Sequence, residues 1–353
     1  MHGWRNLRGR KPPTEPRRIL IAHHLLIGDT LMLTPLLAKL RERFPQAQIV
    51  LTVPVAIAPL YENRPYGVTV WPFDPRDPET MRFMFARRGF DLAFIPGDNR
   101  YSWLAHALGS RWIVAHEGEP GRYKSWPVDQ LVAYPAFAAA WGDIVAGLVE
   151  GPAPASYRTT DWRAPSSAPF ELPVRPYAVL HLGASHPFKL WGAEKWQGLA
   201  RHLSGRGFEV VLSAGPGQDA LIDEVDPDKK FTAFAGSLNL SQLWRLLEHS
   251  MVLVCPDTGV AHLGRVVGTP TVTLFGPGSA EAYGAGDFWR DAPYRALTLD
   301  DFPCRDQPLM FNRKIEWVRR CERTTAECAA PRCMQGIGIE AVTSAVDRLL
   351  PLS

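Results

Sequence analysis

The chain predicts an α/β protein of two doubly wound halves, each a mostly parallel sheet covered by helices. Three observations carry this. Short runs rich in Val, Ile and Leu alternate with stretches of helical period along almost the whole sequence. Near the middle, residues 151–176 are rich in proline, serine and alanine and interrupt the alternation. The length, 353 residues, exceeds what one hydrophobic core ordinarily holds.

The first half opens with the strand "RILIAHH" from Arg18, broken by "IGDT" and followed by "LMLTPLLAKLRERF", a helix with Thr34 before Pro35 as a cap or kink point. "QIVLTV" is the next strand, and "FDLAFIP" and "RWIVAH" are later strands of the same sheet. After the proline-rich segment, strands "YAVLHLG", "FEVVLSAG", "FTAFAG", "MVLVCP" and "TVTLFG" alternate with helices "EKWQGLARHL", "QDALIDEV", "LSQLWRLLEHS" and "GVAHLGRVVG". Open sheets of this kind bind ligands beyond the carboxyl ends of their strands.

Composition excludes several classes. Hydrophobic residues make up 46% and charged residues 21%, the balance of an ordinary globular protein. The net charge of +3 is too small to make nucleic acid the default partner. No run of roughly eighteen apolar residues can span a bilayer. The leader carries Arg5, Arg8, Arg10, Lys11, Arg17 and Arg18 against Glu15. It lacks the apolar core of a signal peptide, so the cytoplasm is the expected location. A disordered tail is the plain reading of residues 1–17; electrostatic attraction to anionic lipid headgroups is the sharper one. The five cysteines start as reduced thiols. "GPGQDA" lacks the third glycine of a dinucleotide fingerprint, which disfavours a nicotinamide oxidoreductase.

Three clusters carry candidate chemistry. In "VCPDTGVAHLGRVVGTPTVTLFGP", Pro256 stops a buried strand and Asp257 or Thr258 caps the next helix, whose first amides favour phosphate. Gly259 lets a ligand approach the backbone, and His262 shares a face with Thr258, while Val260, Leu263 and Val267 form a buried stripe. A capped helix with a core histidine is the competing reading for any one of these residues. In "HLGASHPFKLWGAEKW", Ser185, His186 and Lys189 follow a strand, and Lys189 is the natural cation for a diphosphate. In "LLIGDT", Asp29 follows the first strand and reads equally as a helix cap or a general base.

"LIGDTLMLTPLLAKLRERFPQAQI", "LHLGASHPFKLWGAEKWQGLA" and "DTGVAHLGRVVGTPTVTLFGP" together resemble glycosyltransferase family 9, the ADP-heptose:lipopolysaccharide heptosyltransferases. The order and spacing fit from Arg18 to about Leu349, and "FAGSLNLSQLWRLLEHS" and "CMQGIGIEAV" agree. The resemblance implies a GT-B fold, two Rossmann-like domains facing each other across a cleft, with the acceptor on the first and the nucleotide-sugar on the second. It implies inverting transfer with no cofactor and no catalytic metal. Position by position it places the catalytic aspartate on Asp29, the diphosphate lysine on Lys189 with Ser185 in its loop, and donor contacts on Asp257, Thr258, Gly259 and His262. Two departures stand out. "AHHLLIGD" has two histidines where a basic residue often stands, and "HPFK" replaces a more polar run.

The expected domains are therefore a leader over 1–17, an acceptor-binding domain over 18–165, a nucleotide-sugar domain over 166–336, and a terminal helix over 337–353 returning toward the first domain. The expected donor is ADP-heptose and the expected acceptor a lipopolysaccharide core or related glycan, met at the inner membrane surface through peripheral contact. Arg64, Arg87, Arg88, Arg100 and Arg122 are the basic residues of the first domain that can meet an anionic acceptor. Alternatives are a family relative that glycosylates a protein or secondary metabolite with another nucleotide-sugar, or a silent nucleotide-sugar-binding module. Cys304, Cys321, Cys328 and Cys333 run C-x16-C-x6-C-x4-C without a tight C-x-x-C pair, a weak zinc signal. A branch of the family that modifies autotransporters carries a four-cysteine iron site; the expectation for this chain is no structural metal.

Overall fold

The computed structural model describes residues 11–300 and 302–350. The chain divides into two compact units. The first runs to Arg163 and also takes in Gly286–Phe288 and Pro308–Val318; the second holds the remainder. Most of the basic leader lies outside the described residues.

The first unit is built on six parallel strands: β1 (Arg18–Ile21), β2 (Gln48–Val53), β3 (Thr69–Pro72), β4 (Phe90–Ile95), β5 (Ser110–His116) and β6 (Gln130–Val132). Their order, β3-β2-β1-β4-β5-β6, reverses direction between β1 and β4, which is where an open α/β sheet leaves a crevice at its carboxyl edge. The loops flanking that point touch. A Cβ on Gly97, after β4, would stand 2.9 Å from the Leu25 side chain after β1, so only glycine fits without displacing it.

The expected single helix over "LMLTPLLAKLRERF" is two, α1 (Ile27–Leu31) and α2 (Thr34–Arg43). Pro35 has no N–H and its ring would strike the carbonyl of Leu31, so a helix cannot run through this point. Thr34 is not the cap; Leu33 holds that position, and the Thr34 hydroxyl donates to the Leu31 carbonyl at 2.6 Å. On one face of the sheet, Met84 of α3 (Pro78–Phe85) and Leu104 and Ala105 of α4 (Tyr101–Ala107) close a core over Leu20, Val50, Phe90, Ile95 and Ile113. On α5 (Trp141–Ala146), a Cβ on Gly142 would meet the Met32 carbonyl at 2.7 Å, so α5 and the α1–α2 junction approach closely.

Two late segments join this unit. The Asp143 carboxylate accepts from the amides of Asp287 and Phe288 at 2.7 and 3.1 Å. In the hairpin of β13 (Leu309–Met310) and β14 (Arg313–Lys314), Arg313 is buried and pairs with Glu119 at 3.1 Å while donating to Asn99 Oδ1 at 2.8 Å. The proline-rich segment does not hang free either. Trp162 is buried beside Tyr61, and its indole N–H donates to the Leu60 carbonyl at 2.9 Å.

The second unit repeats the plan with β7 (Tyr177–His181), β8 (Glu209–Ala214), β9 (Thr232–Ala235), β10 (Val252–Pro256), β11 (Thr271–Phe275) and β12 (Tyr294–Thr298), all parallel, in the order β9-β8-β7-β10-β11-β12. Its switch point falls between β7 and β10. The covering helices are α6 (Ala193–Gly205), α7 (Asp219–Val225), α8 (Leu240–Glu248), α9 (Gly259–Val267), α10 (Ala280–Tyr283), α11 (Arg332–Gln335) and α12 (Ile339–Leu349). A capping box of Asn239 and Gln242 starts α8.

The terminal helix is held by the core of this unit. Val342, Ala345 and Val346 of α12 enter the same core as Trp196 and Leu199 of α6 and Val254 of β10, so α12 packs within the second unit. Its apolar stripe is used there, which is the physical reason the helix stays with this sheet. No helix among the described residues is long and apolar enough to cross a membrane.

Candidate active site

Both flanks of the second unit's switch point carry predicted residues. The loop leaving β7 ends in a short 3-10 turn, Pro187–Lys189, started by His186, whose Nδ1 accepts the Phe188 amide at 3.2 Å. This turn lifts Lys189 toward the end of β10. There the Lys189 ammonium donates to both the carbonyl and the carboxylate of Asp257, each at 2.8 Å. The Asp257 side chain is only 9% exposed and that of Lys189 23%, so the pair is held largely out of water.

Asp257 is also fixed from the far side. A Cβ on Gly278, after β11, would lie 2.6 Å from Asp257 Oδ2, so the glycine makes room for the carboxylate. Next along the chain, Thr258 is the N-cap of α9 in extended conformation, yet its hydroxyl makes no cap bond and has no hydrogen-bond partner in its buried position. A side-chain oxygen and unpaired first-turn amides thus stand together beside a cation, an arrangement suited to phosphate oxygens. Gly259, the first helical residue, adds no side chain in front of those amides.

His262 is buried, and its Nδ1 faces the guanidinium of Arg265. Burial first, then the charges of Arg265 and Lys189, hold its pKa well below the ordinary value. The ring is therefore neutral, and because a guanidinium can only donate, the proton sits on Nε2. Arg265 itself donates to the carbonyls of Tyr283 and Gly284 and lies 4.9 Å from the ring centroid of Tyr294. The expected stripe of Val260, Leu263 and Val267 is different in fact: Ala261, Leu263 and Val266 are buried, while Val260 and Val267 are partly exposed. Arg265 displaces the simple pattern because its charge is carried inside by backbone carbonyls and aromatic faces.

Two supporting residues were not foreseen. The Gln218 side chain accepts the Gly215 amide at 3.1 Å and donates to the Ala184 carbonyl at 2.8 Å, tying the loop after β8 to the one after β7. Arg265 is the other; its sequence signal is a lone cation within an apolar helix, three residues after His262. Ser185 is exposed on its loop and makes no polar contact with the Lys189–Asp257 group. Beside this group is a cavity of about 700 Å³ within the second unit, lined in part by Gly278, Ser279, Glu281, Thr298, Phe302 and Arg305.

Asp29 belongs to the first unit. It is half-buried in the first turn of α1, in the segment that leaves β1 at that unit's switch point. Leu26, not Asp29, is the N-cap of α1, so the cap reading of the aspartate does not hold. Of the cysteines, Cys255 is buried in β10; all five are free thiols, and among the described residues no group of three His, Cys, Asp or Glu is placed to hold a metal ion.

Residues 149–295 match the family described as glycosyltransferase family 9 (heptosyltransferase). A lipopolysaccharide heptosyltransferase 3 of Escherichia coli is 32% identical over 143 residues, 37% of this chain and 40% of that relative's length. Lipopolysaccharide heptosyltransferase 1 of Pseudomonas aeruginosa is 22% identical over 329 residues, covering 86% of this chain and 92% of its own. Among solved structures, E. coli ADP-heptose lps heptosyltransferase II has a TM-score of 0.70 at 18% identity, over 94% of this chain and 98% of that one. The two Rossmann-like sheets are those of the GT-B fold.

Proposed function

We propose, from the match of residues 149–295 to glycosyltransferase family 9 and the likeness to lipopolysaccharide heptosyltransferases, that the chain is an inverting glycosyltransferase that moves heptose from ADP-heptose onto a lipopolysaccharide core or related glycan on the cytoplasmic side of the inner membrane. The observation that carries this reading is the Lys189–Asp257 pair at the start of α9, with the unpartnered Thr258 hydroxyl beside it. A departing nucleoside diphosphate needs compensating charge and oriented donors. The ammonium of Lys189, the first amides of α9 and the Nε2 proton of His262 can supply them without a metal.

In this mechanism Asp29 takes the proton from the attacking acceptor hydroxyl. The oxygen attacks the anomeric carbon as the bond to the diphosphate breaks, inverting the centre. The proton rests on the Asp29 carboxylate, and the ADP leaves with its negative charge held by Lys189 and the helix amides. Gln218 and Gly278 position these groups without touching the reacting atoms.

The test is a transfer assay with ADP-heptose and a truncated lipopolysaccharide acceptor. Asp29→Asn should lower turnover by about 10²–10⁴, the usual contribution of a positioned base, with ADP affinity and melting temperature retained. Near-normal turnover in that variant would place the base elsewhere.

A further inference from the structure

Arg265 is a cation on the buried face of α9. It is 2% exposed, in a helix whose other buried side chains include Ala261, Leu263 and Val266. An aliphatic residue would fill this position without the desolvation that a buried charge costs. The guanidinium donates to the carbonyls of Tyr283 and Gly284, at the end of α10, and lies 4.9 and 5.9 Å from the ring centroids of Tyr294 and Trp289. Tying down the end of α10 accounts for those contacts. It does not account for the contact with Nδ1 of His262, three residues back on the same face of the helix.

We propose that Arg265 is a positioning residue: by donating to Nδ1 it locks His262 as a neutral Nε2–H donor to the diphosphate of the nucleotide-sugar. The inference rests on the proposed donor site, from which His262 takes its role. A free imidazole divides between two tautomers and takes a second proton near its ordinary pKa of about 6.5. A guanidinium only donates, so while Arg265 holds Nδ1 no proton can sit there. Burial, Arg265 and Lys189 all oppose the charged ring. Groups on the neighbouring elements do not compete for it. Asp257 is paired with Lys189 at 2.8 Å. On α8, Arg245 and Glu248 pair with each other at 2.8 Å, and the buried face is Leu243, Trp244, Leu246 and Leu247. Glu281 of α10 accepts from the Ser279 hydroxyl at 3.0 Å. Burial raises the pKa of Cys255 in β10 and of Tyr294 in β12, which keeps both neutral. The result is a donor to phosphate whose strength does not follow pH.

The probe is ADP-glucose, whose diphosphate is esterified at both ends and keeps its charge over the range tested. Its affinity for the unaltered chain, measured well below the melting temperature, should change by less than about twofold between about pH 8 and 5.5. In Arg265→Met the ring loses its partner. Affinity should fall about three- to tenfold at pH 8, the usual contribution of one oriented hydrogen bond. It should then rise about tenfold toward pH 5.5, as the ring beside the diphosphate takes a second proton. Arg265→Lys, whose ammonium also only donates, should keep the flat profile. His262→Gln offers an amide donor that cannot titrate. In that background Arg265→Met should shift affinity by less than about twofold and add no pH dependence. Nitrogen-15 spectra of the histidine-labelled unaltered chain, with His262 assigned by its absence in His262→Gln, should show Nε2 protonated and Nδ1 bare throughout. That measurement holds even where Arg265→Met does not fold. A proton on Nδ1, an equal loss from Arg265→Met in both backgrounds, or a flat pH profile in that variant would overturn the proposal and leave Arg265 as a tie for the end of α10. Failure of the unaltered chain to bind both ADP-glucose and ADP would instead count against the donor reading, and the nitrogen spectra would still decide whether Arg265 fixes the ring.

Discussion

Lys189 carries three protons, and two of its contacts already go to Asp257, at 2.8 Å each. The third is available to a ligand, which makes the lysine a preorganised cation and not a floppy surface charge. Its alanine variant removes a charge-assisted bond to the diphosphate, an interaction typically worth about 1.5–3 kcal/mol. Lys189→Ala should therefore weaken ADP binding by about 10–100-fold, while affinity for adenosine, which lacks phosphate, stays within about twofold. Isothermal titration with the two ligands reads the difference directly. Equal loss for both would mean that Lys189 merely holds its loop. Lys189 and Asp257 both stand out in the sequence as candidate site residues because each follows a strand in a distinctive motif. That they bind each other was not, since the contact spans 68 positions and depends on two loops folding side by side.

At the scale of elements, the site is a meeting of three turns, those after β7, β10 and β11. Gly278 in the last turn is the tightest point: an added methyl would stand 2.6 Å from Asp257 Oδ2. The carboxylate cannot retreat freely, because it is buried and held by Lys189. Gly278→Ala should push the pair apart, at a cost of about 1–3 kcal/mol in stability by overpacking, and should lower ADP affinity together with melting temperature. Unchanged ADP affinity would show that the pair tolerates displacement. Gly278 carried no such message in the sequence, whereas the strands did. Buried runs such as "QIVLTV" and "MVLVCP" declare themselves by composition. The edge strands β3 and β6 do not, since β3 contains Pro72 and β6 is three partly exposed residues. The helix break at Met32–Leu33 was written in the sequence through Pro35, but a proline in the first turn of a helix looks the same as one that ends the helix before it.

At the scale of the whole molecule, the division into two halves was readable from the alternation of elements and the proline-rich segment. The return of Gly286–Phe288 and Pro308–Val318 to the first unit was not. It depends on Asp143 and on the buried Arg313–Glu119 pair, contacts between residues far apart in the chain. A second molecular property escapes sequence reading: among the described residues, each unit buries two neutral histidines. Burial, reinforced by His24 and Arg313 respectively, pushes His23 and His116 in the first unit down to about 3. Burial pushes His181 in the second unit down to about 4 and, with Arg265 and Lys189, drives His262 well below its ordinary 6.5. In the unfolded chain all four protonate near 6.5. Below that pH the unfolded state binds protons that the folded state refuses, so stability is full above about 6.5. It is then lost progressively as the pH falls toward the folded values. Each histidine contributes up to about 1.4 kcal/mol per pH unit in that window, so two per unit give roughly 3 kcal/mol. Carboxylates titrate mostly lower, which isolates the histidine effect between about pH 6.5 and 5. Melting temperature should accordingly hold steady from about pH 8 to 7 and fall by several degrees by about pH 5.5, with both units affected. A chain whose melting temperature stayed flat across that interval would have its histidines protonated in the folded state, and the neutral Nε2 donor assigned to His262 would fall with it.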